Sequence, residues 1–260
     1  MTDAAFERDG ERFLPTRAAG SPWGDDLLHG GPPAGLLARA IEHVAATAEM
    51  RIVRLTVDLF RPVPRTPLTV TASSVREGKR IHVVDAVLRA GDVDVSRATG
   101  LLLRVTDQPS IAPAAGLRPP PGPDEIETRP LAGSRSEAPR REGFHTASEF
   151  RRLPAGEGQP TAWIRVPELV AGETMTPVVR LAATCDFVNA ISSMSAPNGM
   201  GFINTDSTIY LHREPVGAWI ALQVERTTQP SGIGVSSAVL FDRNGAIGQA
   251  VQAVLANRMT

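Results

Sequence analysis

The stretch TCDFVNAISS, from Thr184 to Ser193, places a carboxylate beside the single cysteine of the chain. Asp186 could act as a general base that takes a proton from water. Cys185 could act as a nucleophile, since a helix N-terminus lowers the pKa of a thiol. Each residue also has an ordinary structural explanation, because an aspartate at a helix start most often caps the helix and a lone cysteine is most often buried. The spacing alone leaves these alternatives open.

An internal repeat with a constant offset of 152 residues surrounds this stretch. The segments LTVDLFR (55–61), IHVVDAVL (81–88) and SRATGLLL (96–103) align with STIYLHR (207–213), IGVSSAVL (233–240) and GQAVQAVL (248–255). Over residues 54–104 the alignment needs no gap and contains ten identities. Self-similarity at a fixed offset indicates a duplicated structural unit.

Each copy has the same predicted order of elements. Residues 33–46 have the apolar spacing of a helix that buries one side. Four runs rich in Val, Ile and Thr follow, and in the second copy we predict strands over 202–212, 217–228, 231–242 and 246–257. Asn244-Gly245 is a hairpin signal between the last two. One helix followed by an antiparallel meander, present twice, predicts an α+β fold in which a sheet covers the helix.

A proline-rich segment separates the two copies. Residues 106–142 contain eight prolines and have no hydrophobic periodicity, which is typical of an extended connector. We therefore predict an N-terminal repeat over 1–105, a linker over 106–142 and a C-terminal repeat over 143–260.

Composition limits the classes of partner. The formal net charge is −1, so we expect no general attraction to nucleic acid or to an anionic membrane. One cysteine excludes an internal disulfide, and no stretch is apolar enough for a membrane span. The N-terminal residues lack the apolar region of a secretion signal, which favours a cytoplasmic protein. No group of Cys, His and carboxylates has metal-ligand spacing, so we expect neither a metal nor another cofactor.

Four segments resemble the acyl-CoA thioesterase II family: HGGPPAGLLARA (29–40), RLAATCDFVNAIS (180–192), INTDSTIYLHREP (203–215) and GQAVQAVLANR (248–258). The resemblance implies a double hot dog, in which two tandem hot-dog repeats each wrap an antiparallel sheet around a central helix. It also implies an acyl-CoA substrate, no cofactor, and a homodimer or higher homo-oligomer.

The resemblance also implies a set of catalytic residues. The family arranges an Asp at the start of the second helix, a Thr on the next strand and a Gln on the last strand around a hydrolytic water. Asp186 and Gln252 match this pattern, and Asn204 stands at the threonine position. Thr205 is the neighbouring alternative, and Asp206 is a weaker candidate on the face of Asn204. The implied mechanism has Asp186 as general base, with Asn204 and Gln252 orienting the water.

The repeat assigns this polar set to one copy. At the offset of 152 residues, the three polar positions correspond to apolar or small ones in the first copy: Asp186 to Ala34, Asn204 to Ile52 and Gln252 to Gly100. We therefore expect one site, with the first copy supplying the opposite wall. Gly30 and Gly31 are the predicted substrate-binding residues there, because glycines let a substrate approach the backbone. His29 is interpreted as a structural residue or a contact at the entry to the helix.

Three functions remain in competition. The leading hypothesis is hydrolysis of acyl-CoA to a free fatty acid and CoA. The first alternative is an acyl-CoA hydratase or dehydratase on the same fold; such enzymes pair a His with an Asp or Glu, and the sequence offers no such pair at the second helix. The second alternative is a protein that binds acyl-CoA or lipid without catalysis. Fold-level similarity does not separate the three.

Overall fold

A computed structural model describes residues 4–45, 49–106, 108, 117–127, 141–154, 159–192 and 200–258. The dominant element is one antiparallel sheet of thirteen strands. In the first half these are β1 Phe6–Asp9, β2 Arg12–Pro15, β3 Met50–Asp58, β4 Leu68–Glu77, β5 Ile81–Ala90 and β6 Val93–Arg104. In the second half they are β7 Glu149–Arg152, β8 Thr161–Arg165, β9 Met200–Asn204, β10 Asp206–Leu211, β11 Ile220–Thr228, β12 Ile233–Asp242 and β13 Gly245–Arg258.

The strand order is the same in both halves. The sheet runs β1-β2-β4-β5-β6-β3-β10-β13-β12-β11-β8-β7, and β9 pairs with β13 beside β10. The halves meet where β3 pairs with β10, and there Thr56 lies opposite Thr208. Their hydroxyl oxygens are 3.3 Å apart, and the two residues are separated by the repeat offset of 152. Equivalent residues therefore pair across a local two-fold axis, as a duplicated unit requires when its copies join edge to edge.

The described residues include four α-helices: α1 Gly31–Ala45, α2 Phe144–Ala147, α3 Pro177–Cys185 and α4 Val188–Ser192. The helix α1 begins with Pro32 and Pro33 in its first turn, where a missing N–H costs nothing. Its fully buried residues Leu36, Leu37 and Ile41 contact the inner face of the first half of the sheet. The helices α1 and α3 also contact each other, so the two halves share one hydrophobic core.

The second-copy helix differs from the prediction. It begins at Pro177, where the Thr176 side chain caps the Val179 N–H at 3.3 Å, and α3 ends at Cys185. Asp186 follows that end in helical conformation and lies before α4, so the prediction that it starts a helix is wrong. The offset of 152 residues holds along the strands, but the longer connection from α4 to β9 makes it fail for the helices.

The described part of the predicted linker packs on the sheet. Residues 117–127 include a short 3-10 turn at Pro123–Glu125. The Trp163 indole N–H donates to the Pro121 carbonyl at 2.7 Å, and Arg243 pairs with Asp124 at 2.6 Å. This stretch is held against β8 and the turn that follows β12. None of the helices in the described ranges has the length and hydropathy that a bilayer span requires.

Candidate active site

The break between α3 and α4 carries a buried carboxylate with two side-chain partners. Asp186 Oδ1 accepts a hydrogen bond from Asn204 Nδ2 at 2.8 Å, and Oδ2 lies 2.8 Å from His29 Nδ1. The Asp186 side chain is 9% exposed and that of His29 is 10% exposed. His29 precedes α1, so this cluster joins the first copy to the second. The interpretation of His29 as structural missed this contact.

The protonation of the pair follows from its partners. Burial by itself would raise the pKa of Asp186, but the His29 charge and hydrogen bonds from His29, Asn204 and the Gly31 N–H outweigh it and lower that pKa. An ionised carboxylate needs a donor, so Nδ1 of His29 carries the hydrogen. The Gly31 N–H lies 3.2 Å from Nδ1, but an Nδ1 that carries a hydrogen cannot accept it. We therefore assign the Gly31 N–H as a donor to the Asp186 carboxylate. This tautomer leaves Nε2 as the basic nitrogen whenever His29 is neutral.

Aromatic rings of the second copy hold the imidazole in place. The His29 ring centroid is 4.7 Å from that of Phe187 and 5.4 Å from that of Phe144, and both rings are fully buried. Phe144 and Phe187 stack on each other at 5.6 Å. The ring contacts with these two fully buried side chains therefore restrict the orientation of the His29 imidazole.

Two glycines give the clearance for this contact. A Cβ on Gly30 would lie 2.7 Å from Asp186 Oδ1, and one on Gly31 would lie 2.5 Å from the Ala183 carbonyl oxygen. Neither distance is tolerated by a real side chain. The two residues predicted to bind substrate therefore also let the first copy approach the helix break.

Gln252 bridges the helix break from β13. Its Oε1 accepts the Asn189 N–H at 3.0 Å, and its Nε2 donates to the Cys185 carbonyl at 3.0 Å. The side chain is fully buried. Gln252 thus satisfies a carbonyl at the end of α3 and an N–H of α4, two backbone groups that the break would otherwise leave without partners. In this structure it positions Asp186 through the backbone and does not touch it in any described contact.

The first copy has no such break. Gly100 occupies the position equivalent to Gln252, and a Cβ there would lie 2.6 Å from Ile41 Cγ2. The continuous helix α1 fills this space with an apolar side chain. A polar bridge is needed only in the second copy, where the helix is interrupted.

The remaining candidates lie apart from the cluster. Thr205 is exposed and donates to the Ala253 carbonyl at 3.4 Å, whereas Asp206 accepts the Ala253 N–H at 2.7 Å. Asn204 is therefore the residue of this strand that contacts Asp186. Burial and then the Asp186 charge raise the pKa of the Cys185 thiol, so Cys185 stays protonated and is a poor nucleophile.

Comparison with protein-family models gives two matches. Residues 19–103 match the model described as the acyl-CoA thioesterase N-terminal domain, and residues 110–256 match the acyl-CoA thioesterase C-terminal domain. The second match alone covers more than half of the chain. A search of curated protein sequences finds no match.

Solved structures with a similar fold cover nearly the whole chain. Acyl-CoA thioesterase II TesB2 from Mycobacterium marinum is 12% identical over 91% of this chain and 93% of that one, with a TM-score of 0.66. A conserved protein of unknown function with a hot dog fold from Alicyclobacillus acidocaldarius is 17% identical over 100% and 98%, with a TM-score of 0.72. An inactive mutant of the CurJ dehydratase is 14% identical over 89% and 83%, with a TM-score of 0.54. At these identities the similarity establishes the hot dog fold alone.

Proposed function

Since the chain belongs to the acyl-CoA thioesterase family, we propose that it hydrolyses acyl-CoA thioesters at a single site built around His29 and Asp186. The observation that carries this proposal is the buried contact of 2.8 Å between these residues, one from each copy. We also propose that the halves are two hot-dog repeats, which the shared strand order and the Thr56–Thr208 pairing support.

Hydrolysis needs a basic group close to the attacking water. Asp186 holds the Nδ1–H of His29, so Nε2 takes the proton of the water as its oxygen adds to the acyl carbon. The oxyanion that forms accepts the Gly30 N–H, which has no acceptor among the described residues. Collapse of the intermediate breaks the C–S bond, and the proton on Nε2 passes to the leaving sulfur of CoA. The products are a free fatty acid and CoA.

Asp186 itself is the weaker choice for the proton acceptor. Both of its oxygens accept hydrogen bonds, and its lowered pKa makes the carboxylate a poor base. We assign it the orientation of His29, with Asn204 fixing its second oxygen and Gln252 fixing the backbone beside it. The assignment of Asp186 as the base and of Asn204 and Gln252 as water ligands stays a prediction of the sequence.

Thiol release tests the proposed function. The purified chain is mixed with acyl-CoAs from acetyl to palmitoyl, and free CoA is titrated with a thiol reagent over time. We expect release with at least one chain length and loss of it in the Asp186→Ala variant. Tight binding of acyl-CoA without release by the wild-type chain would reject hydrolysis and favour a binding protein.

The same His–Asp pair favours one second candidate. The expectation that no histidine pairs with an acid at the second helix is wrong, because the α1–α3 contact brings His29 of the first copy to Asp186. A hydratase would use such a pair to add water across the double bond of an enoyl-CoA, leaving the thioester intact. Crotonyl-CoA distinguishes the reactions, since hydration removes the absorbance of the conjugated thioester without releasing thiol, whereas hydrolysis releases thiol.

A further inference from the structure

One loop of the first copy connects the two walls of the candidate site. This rim loop, Leu59–Pro64, follows β3, and its Leu59 N–H donates to the Thr205 carbonyl at 2.9 Å beside Asn204. At its other end the Val63 carbonyl accepts the Leu28 N–H at 2.9 Å, beside His29. The loop is therefore bonded to the backbone beside each of the two residues that contact Asp186.

An open groove of about 700 Å³ lies between the rim loop and the hairpin that joins β5 to β6. The groove is lined by Phe60, Arg61, Val87, Asp92, Val93, Asp94 and Arg97. Phe60 is 46% exposed, and the Arg61 guanidinium carbon lies 5.8 Å from the centre of its ring. Arg61 has no hydrogen bond or ion pair to any of the described residues, so its donors face solvent.

The second copy fills the equivalent place. Arg213, which corresponds to Arg61, donates to Asp242 at 2.6 Å and to the Gly245 carbonyl at 2.9 Å. The Asp242 side chain is fully buried. In the first copy the residue equivalent to Asp242 is Ala90, which offers no carboxylate. This internal ion pair is therefore present in the second copy, and Arg61 has no equivalent partner in the first.

The paired arginine, Arg213, and the unpaired one, Arg61, lie in different places relative to the polar residues of the candidate site. The loop around Arg213 lies by the apolar counterpart of the site, since the neighbouring Glu214 pairs with Arg51 at 3.1 Å, next to Ile52. In the second copy, the loop is therefore held by internal bonds of Arg213, and it lies beside the position where the polar cluster is absent. The rim loop, which lies beside the polar cluster, has an arginine left free for a ligand.

The charges of the groove favour an anion on the side of the rim loop. Arg97 is paired with Asp58 and Asp94 with Arg89, each at 2.7 Å, so these charges are compensated. Arg61 and Asp92 carry the uncompensated charges, and they lie on opposite walls, Arg61 on the loop and Asp92 on the hairpin. A guanidinium beside an exposed aromatic ring is suited to a ligand that combines a phosphate with a flat base.

We propose that this groove binds the adenosine bisphosphate end of the acyl-CoA substrate, with Arg61 donating to its phosphates and Phe60 stacking on adenine. This inference rests on the proposed function, because it takes CoA as the leaving group. The pantetheine arm then runs from the groove along the rim loop, and the thioester lies beside His29.

Two measurements on the full chain test the groove. The first is calorimetric binding of adenosine 3′,5′-bisphosphate, which contains no thioester. The second compares kcat/KM for an acyl-CoA with that for the same acyl group on N-acetylcysteamine, which lacks the nucleotide. The variant Arg61→Gln should weaken bisphosphate binding about tenfold and lower the ratio of the two kcat/KM values about tenfold, as expected for one charged hydrogen-bond donor.

A matched control and an opposite change separate this role from general charge effects. Arg80→Gln removes the same charge at the far end of β5 and should leave the bisphosphate affinity and the ratio within twofold. Asp92→Asn should strengthen bisphosphate binding. An unchanged affinity and ratio in Arg61→Gln, or an equal loss in Arg80→Gln, would overturn the proposal. A chain that hydrolyses no acyl-CoA would refute the proposed function, while the bisphosphate measurement would still decide the groove.

Discussion

The substitution Asp186→Asn tests how the site uses its buried charge. The wild-type carboxylate accepts hydrogen bonds of 2.8 Å from Asn204 and 2.8 Å from His29 Nδ1. An asparagine of the same shape keeps one accepting oxygen and turns an NH₂ group toward the other donor. Either orientation of the amide removes the negative charge that holds the Nδ1–H of His29, and one orientation also removes the acceptor that selects its tautomer, so Nε2 is held less firmly as the base.

The size of the effect follows from these contacts. Loss of one charged hydrogen bond at a buried site costs about 1.5–3 kcal/mol of folding free energy. In a chain of this size that lowers Tm by roughly 3–12 °C, at about 2–4 °C for each kcal/mol. The turnover number should fall much more, by about 10²–10⁴, as when an aspartate that orients a catalytic histidine is replaced in other hydrolases.

The assay is initial-rate thiol release at saturating acyl-CoA, with Tm measured by circular dichroism on the same samples. Asp85→Asn is the matched control, because Asp85 is exposed on β5 and accepts one bond from Thr99 at 2.6 Å. The control should keep kcat within twofold. A cooperative melt together with kcat within threefold of the wild type in Asp186→Asn would refute the reasoning.

Three further predictions concern the groups around this pair. Gln252→Met leaves two buried backbone groups without partners and should lower kcat about tenfold with little change in KM. The control Gln249→Met, at an exposed position on the same strand, should change neither kcat nor KM, and equal effects of the two substitutions would contradict a bridging role. Gly30→Ala places a Cβ 2.7 Å from Asp186 Oδ1 and should lower kcat at least tenfold, and an unchanged kcat would disprove the need for this clearance. Burial alone would raise the pKa of Asp242, but hydrogen bonds from Arg213 and from two backbone N–H groups outweigh burial and lower that pKa. The ionised Asp242 therefore stabilises the fold above about pH 4, and this contribution is lost as pH falls through its folded-state pKa. The Tm difference between wild type and Asp242→Asn should therefore narrow on acidification from about pH 6 to about pH 3, and a constant difference would contradict that linkage.

Much of the fold could be predicted because its signals are local. The strand predicted over 231–242 is Ile233–Asp242, and the helix predicted over 33–46 is Gly31–Ala45. Alternating β-branched residues, hairpin signals and a helical apolar stripe all act over a few residues. The strand predicted over 202–212 is interrupted at Thr205. The residue types of Asn204-Thr205-Asp206 are typical of a turn, so the sequence did contain a local signal for that break.

The site was harder to predict because its contacts are not local. Asp186 and Asn204, two members of the set that the family resemblance implies, are in contact, and their catalytic roles stay predictions. The contact between Asp186 and His29 depends on how α1 and α3 pack across the two halves, which no spacing along the chain encodes. The offset of 152 residues also misled, because it placed Asp186 at a helix start when Pro177 and Thr176 form the start. Proline in the first turn after a threonine was the local signal for it.

The kcat of the His29→Asn variant tests the central claim most directly. The asparagine amide can still donate to Asp186 from the position of Nδ1, so the buried carboxylate keeps its partner while the atom at Nε2 is removed. If His29 of the first copy is the base and Asp186 of the second copy orients it, kcat for acyl-CoA hydrolysis should fall at least about a hundredfold while Tm changes little. A variant that keeps the wild-type kcat would contradict the account and return the role of base to Asp186 or to a group outside this cluster.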